Sequence, residues 1–185
     1  MRLEDFPKIE IPIKDRKQII LNRKLPHVVR VPYDINYKSL LELMPTKNTV
    51  DEAIKERNNQ PDYLAYDDYS AMGSYQQRHL NSTKDFGFGF GEMYHVRFAI
   101  IEPGKELPTH FDSPHDLRFI IMLQGEHLYH VEGKTYHMKE GESWFVNASY
   151  LHSVENTGDV DRIAILAKCK ATKENREKIM EWIDV

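Results

Sequence analysis

The stretch from Leu117 to Met138 reads LRFIIMLQGEHLYHVEGKTYHM, and its punctuation decides the fold. An apolar run from Leu117 to Leu123 stops at Gln124-Gly125. Two further runs, His127 to Val131 and Lys134 to Met138, face each other across Glu132-Gly133. Runs this short, rich in β-branched and aromatic residues and closed by turn residues, predict strands rather than helices. The last two predict a hairpin.

The same pattern continues on either side. Tyr94 to Ile101 predicts a strand ended by Glu102-Pro103-Gly104. Glu140-Gly141-Glu142 is a turn before a strand at Ser143-Trp144-Phe145-Val146. His152 to Glu155 and Arg162 to Lys168 predict the last two strands, separated by the turn Asn156-Thr157-Gly158-Asp159. Many short strands at this pitch predict a mainly β domain, a sandwich or jelly roll. From Lys173 to Ile183 the chain predicts a short helix, with Ile179, Trp182 and Ile183 on its apolar face.

Upstream the pattern is less regular. In residues 1–35, short apolar runs alternate with charge, and Pro12, Pro26 and Pro32 predict edge strands or extended arms rather than a helix. Apolar residues at 37, 40, 41 and 44 have helical spacing, which Pro45 stops. Thr49-Val50-Asp51-Glu52 predicts a capping box opening a short helix through about Asn58. Periodicity fails over residues 61–91, where Gly87, Gly89 and Gly91 alternate with Phe86, Phe88 and Phe90. That segment reads either as a flexible aromatic loop or as a lid beside a pocket. The expected organisation is one domain over residues 1–185. Residues 1–92 pack on the barrel, 93–170 form the core that carries the site, and 171–185 form a terminal helix.

At 185 residues, of which 41% are hydrophobic, the chain is long enough to bury a core and too apolar for disorder. Its formal net charge of −4, with basic residues scattered among acids, predicts no nucleic-acid partner and no attraction to an anionic membrane. No apolar stretch approaches the length of a membrane span, and the first residues carry no apolar run of the kind a signal peptide needs. The single cysteine, Cys169, fits a reducing cytoplasm and packing at a strand end.

His110-Phe111-Asp112 and the distant His152 carry the chemistry. Two imidazoles and one carboxylate form a donor set for non-haem Fe(II), with the opposite coordination positions open for a co-substrate and O₂. On an extended strand a His-x-Asp pair puts both side chains on one face, because strand side chains alternate. A lone histidine is by default a hydrogen-bonded structural residue, and His115, His127, His130 and His137 read as exposed or structural. Trp144 reads as core packing.

The frame around the three residues carries a resemblance. Gly104 stands five residues clear of His110, Gly125 closes the following strand, Gly141 opens another, and His152 is followed by Ser153-Val154-Glu155-Asn156. Over about residues 93–168 this resembles the two sequence motifs of the cupin superfamily. Arg118 stands roughly where a metal-binding cupin would often place a glutamate. A cation cannot ligate metal, so the resemblance reduces the metal-ligand set, which is also the catalytic set, to His110, Asp112 and His152. Arg162 stands ten residues after His152.

The wider arrangement joins Ile101-Glu102-Pro103-Gly104, Pro108-Thr109-His110, Arg118, Gly141-Glu142-Ser143-Trp144, His152 and Arg162. It resembles the aspartyl/asparaginyl β-hydroxylase family of Fe(II)- and 2-oxoglutarate-dependent oxygenases. The resemblance implies a double-stranded β-helix, with Fe(II) as the metal and 2-oxoglutarate as co-substrate. Arg162, whose planar fork suits a carboxylate, would hold the far end of 2-oxoglutarate. Arg118 would contact a substrate carboxylate or help close the site. The implied reaction is hydroxylation of an amino acid or an amino-acid side chain. Two positions depart from the family: Ala99 stands for its serine before the first ligand, and Ile120 for a histidine after the arginine. Two rival readings stay open, a metal-dependent cupin enzyme that does not use 2-oxoglutarate and a non-catalytic barrel that binds a small ligand.

Overall fold

A computed structural model describes residues 12–51, 55, 75–80, 85–110 and 112–184. Their strands form two antiparallel sheets. The six-stranded sheet runs through β1 (Val28–Arg30), β8 (Ser143–Val146), β5 (Asp116–Gln124), β10 (Arg162–Lys170), β3 (Tyr94–Ile101) and β2 (Tyr75–His79). The four-stranded sheet runs through β4 (Glu106–His110), β9 (His152–Glu155), β6 (His127–Val131) and β7 (Lys134–Met138). From β3 onward the chain passes back and forth between the sheets, the mainly β layout of a cupin-like jelly roll. Strands β3, β6, β7, β8 and β9 have the bounds that alternation and turn residues predict. At the β6–β7 hairpin Glu132 and Gly133 both take positive φ, +48° and +72°, which is the type I′ turn that matches strand twist.

The central strands β3, β5 and β10 are apolar on both faces, and this creates two hydrophobic layers. One lies between the sheets and includes Ala99, Ile120, Met122, Tyr129, Val154, Ala164 and Leu166. The other covers the outer face of the six-stranded sheet, where Phe98, Phe119, Phe145 and Ile165 meet Phe88, Ile179 and Trp182. Helix α3, spanning Lys173–Glu181, supplies Ile179 to that layer, and a 3₁₀ turn over Trp182–Asp184 supplies the indole. Thr172 caps α3 by accepting from Asn175 N. The aromatic residues of the glycine-rich stretch also belong here. Phe88 is 1% exposed, and the Phe88 and Phe90 rings sit 5.6 and 5.0 Å from that of Phe119. Residues 85–91 are therefore anchored in the outer layer and are neither a flexible loop nor a lid over the inter-sheet space. The rest of that segment, residues 61–74 and 81–84, lies outside the described residues.

The N-terminal expectation needs a larger correction. Residues Ile13–Asn22 form helix α1 where an extended arm is predicted. Pro12 sits at its N-cap, where a missing N–H costs no helical bond. The buried face of α1 is Asp15, Ile19 and Asn22, whereas Ile13 and Ile20 are 84% and 61% exposed. Polar residues turned inward and apolar ones outward blunt the helical signal. The predicted helix at Tyr37 is α2 (Tyr37–Leu41), followed by a turn. At the expected capping box, Thr49 Oγ1 donates to Gln77 O at 3.0 Å and lies 2.7 Å from His79 Nδ1, tying it to β2. Residues 52–54 and 56–58 of that expected helix, like residues 1–11, lie outside the described residues. No helix among those described is long and apolar enough to cross a membrane.

Candidate metal centre

His110 and His152 are opposite each other on paired strands β4 and β9, with ring centroids 4.4 Å apart. Each ring is oriented the same way by its own backbone. His110 Nδ1 lies 2.7 Å from Pro108 O, and His152 Nδ1 lies 2.9 Å from Tyr150 O. A carbonyl can only accept, so in the neutral rings the proton sits on Nδ1 and each Nε2 keeps its lone pair. Backbone bonds of this kind fix the tautomer and heading of a metal-ligating histidine.

Asp112 completes the group, and one donor atom from each of the three residues lies within 4.8 Å of the others. It is placed differently from the expectation of a His-x-Asp pair on one strand. Strand β4 ends at His110, and Asp112 is held beyond it by its N–H, which donates to Ala148 O at 2.8 Å. Helix α1 secures that turn. Asn22 Nδ2 donates to Pro114 O at 2.8 Å and to Ser149 Oγ at 2.9 Å, and His115 Nε2 meets Asp15 Oδ1 at 2.6 Å. Asp112 Oδ2 lies 3.9 Å from His152 Nε2, beyond hydrogen-bond range, and 2.9 Å from Arg118 Nη2. Two imidazoles presenting lone pairs beside a carboxylate fit a divalent metal, and Arg118 would then be paired with a ligating carboxylate. The three residues are all buried, at 5%, 8% and 4% exposure in chain order.

His110 and His152 open on a cavity between the sheets. Its walls include His110, His152, Arg118, Tyr75, Tyr129 and Arg162. Ala99 and Ile120 also line it and present apolar side chains there. Arg162 is 2% exposed; its Nε donates to His127 Nδ1 at 2.7 Å and its Nη1 to Ala99 O at 3.4 Å. No carboxylate among the described residues pairs with it. Burial pulls its pKa down to about 10. His127, fully buried, accepts from Arg162 and turns Nε2 toward Met138 Sδ at 3.2 Å. Burial, and after it the Arg162 charge, hold its pKa well below the ordinary histidine value, so it stays neutral.

Several residues around the centre are not among those singled out from sequence. Tyr129 is 1% exposed and stacks on His152 with centroids 5.2 Å apart. Arg97, 8% exposed, donates to His95 O at 3.2 Å, and Lys168 meets Asp116 Oδ2 at 3.7 Å. Lys168 is the cross-strand partner of Arg118. Burial, with Arg118 and Arg97 adding to it, brings the Lys168 pKa down to about 8. The signal for these cations is visible in the chain: Arg97, Arg118 and Lys168 each stand alone inside an apolar strand. His95, by contrast, is exposed, and Trp144 is half-buried with its indole N–H donating to Glu142 Oε2 at 3.3 Å.

Residues 97–167 match the family described as Cupin domain. The matched segment holds both histidines, Asp112, Arg118 and Arg162, and it supports the cupin superfamily; the finer likeness to aspartyl/asparaginyl β-hydroxylases does not emerge from it. No curated protein matches the chain. Among solved structures, a predicted oxalate decarboxylase from Thermotoga maritima is 22% identical. The match covers 52% of this chain and 80% of that one, with a TM-score of 0.42. A cupin-superfamily sugar phosphate isomerase from Silicibacter pomeroyi is 16% identical over 55% of this chain and 63% of its own, with a TM-score of 0.43. A polyketide cyclase from Streptomyces resistomycificus is 20% identical over 53% and 67%, with a TM-score of 0.40.

Proposed function

We propose that the protein is a metal-dependent cupin enzyme acting on a small carboxylic acid. One observation carries this reading: the two tautomer-fixed histidines, grouped with Asp112, share a cavity with Arg162, a buried guanidinium that has no acid partner among the described residues. A buried charge is costly unless paired, and a ligand carboxylate would pair it. A metal held by His110, Asp112 and His152 would supply Lewis acidity and, as Fe(II), redox chemistry. The protein's own residues do the rest. Pro108 and Tyr150 carbonyls hold the imidazoles in place, Arg118 fixes the Asp112 carboxylate, Arg162 orients the acid, and the apolar walls exclude water.

Arg162 also favours a finer reading. In it the acid is 2-oxoglutarate, used as co-substrate with O₂, Fe(II) is the metal, and an amino acid or amino-acid side chain is hydroxylated. The wall at Ala99 and Ile120, which lacks the family's polar groups, favours a metal-dependent reaction on another acid. The test is an anaerobic titration of 2-oxoglutarate into Fe(II)-loaded protein, followed by the visible charge-transfer band, with Arg162→Ala in parallel. A band that weakens in the variant is expected for the finer reading. Fe(II) binding without a band selects the other metal-dependent chemistry. Absence of metal binding would refute the proposal and leave a ligand-binding barrel.

A further inference from the structure

Among the described residues, two donors on the cavity wall are buried without a hydrogen-bond partner, Tyr129 Oη and Arg118 Nε. Tyr129 is the more telling. Its ring lies nearly parallel to that of His152, at 19°, so the phenol extends along the metal-ligand side of the cavity. Tyr129 belongs to the inter-sheet apolar layer, and its buried hydroxyl has no hydrogen-bond partner among the described residues. A buried hydroxyl left without a partner is costly, and native proteins retain few of them. A phenylalanine would fill the same space without that cost. The hydroxyl is therefore unexplained by packing, and the adjoining Arg118 Nε shows the same deficit on the same wall.

We propose that Tyr129 is a ligand-binding residue. Its O–H donates to an oxygen of the carboxylic acid bound at the His110–Asp112–His152 centre, and Arg118 Nε–H donates beside it. The inference rests on the metal-centre reading and adds a directional requirement to it. The acid must present an acceptor oxygen on the His152 side of the cavity as well as a carboxylate toward Arg162. That requirement describes a small acid with two oxygen-bearing ends, and it disfavours a ligand with an apolar group at the metal.

The test uses Tyr129→Phe in the full chain, loaded with Co(II), whose visible spectrum reports both occupancy and added ligands. Malonate, a small metal-chelating dicarboxylate, is the probe. Wild type and variant are expected to take up Co(II) equally. Malonate should bind the variant about tenfold or more weakly, the loss expected for a hydrogen bond to a charged acceptor. The melting temperature of the unliganded variant should equal or exceed that of wild type, because no protein hydrogen bond is removed. Equal malonate affinity in the two proteins would overturn the proposal, as would a Co(II)-loaded wild type that takes up no malonate. A variant destabilised by several degrees would overturn it too, by assigning the hydroxyl to the fold. Failure of wild type to bind Co(II) would instead refute the metal centre itself, and the two failures are read from different signals.

Discussion

Replacing Arg162 with methionine separates a group kept for a ligand from one kept for the fold. Burial lowers the Arg162 pKa from 12.5 to about 10. Two and a half units at about 1.36 kcal/mol each put the desolvation carried by the charged form at about 3 kcal/mol. Methionine removes that burden and keeps most of the apolar stem. It also withdraws the 2.7 Å bond to His127 Nδ1, stranding a buried acceptor at a cost of about 1–3 kcal/mol. The two effects nearly cancel, so Arg162→Met should lie within about 2 kcal/mol of wild-type stability in urea unfolding. Ligand-dependent stability should behave otherwise. If the acid is 2-oxoglutarate, then with metal bound and 2-oxoglutarate at a hundred times its wild-type Kd, wild type should gain about 2.7 kcal/mol. A hundredfold weaker variant gains only about 0.4 kcal/mol at the same concentration. A variant that loses more than about 4 kcal/mol without ligand would show that Arg162 is a structural anchor. A variant that keeps the full ligand-dependent gain would show that the carboxylate binds elsewhere.

Three further outcomes follow from the geometry. Asp112→Ala and His152→Ala should each weaken Co(II) binding at least a hundredfold and abolish turnover, while far-UV circular dichroism stays that of wild type; full activity in either would refute the ligand assignment. Lys168 has a folded pKa of about 8 against 10.5 unfolded, so between those values the unfolded chain holds a proton that the folded chain lacks. Wild-type stability should therefore rise by up to about 3 kcal/mol from pH 8 to pH 10.5, and chemical denaturation of Lys168→Met should show a flatter profile across that window. Trp182→Ala empties the outer aromatic layer and should cost about 3–5 kcal/mol by thermal unfolding, with malonate affinity at the metal centre unchanged.

Sequence and structure agree where one physical rule dominates. The core strands are legible because period-two or continuous apolar runs end at glycines that take positive φ, such as Gly104, Gly125 and Gly141. The approach of His110 to His152 follows from resemblance rather than periodicity, since their pairing spans the whole β4–β9 connection. Helix α1 is not legible because its inward face carries Asp15 and Asn22, whose partners, His115 and the Pro114 carbonyl, are about a hundred residues away. Strand β2 is illegible for a related reason: Tyr75 to His79 is mostly polar, and it pairs with β3 without a local turn to announce it. The glycine–phenylalanine stretch misleads because composition cannot say which face of a sheet its rings will cover. Tyr129 is hidden in a regular strand, and only its unmet hydroxyl distinguishes it.

The doubly covered central sheet has a consequence for how the chain finds its pairing. Where one face of a strand is wet, a slip of one residue is punished by exposing apolar groups to water. Strand β10 runs Ile163-Ala164-Ile165-Leu166-Ala167 with both faces dry, so greasiness alone cannot tell its two sides apart. The isolated cations can. Arg162 and Lys168 on β10, Arg97 on β3 and Arg118 on β5 all lie on the inter-sheet side, and a one-residue slip would drive each into the phenylalanine layer. Uncompensated charge there costs several kcal/mol per group, which is ample to reject the misaligned state. The four basic residues on the inter-sheet side thus also act as address labels for assembly. A protein stripped of all four would gain burial energy and lose its means of knowing inside from outside.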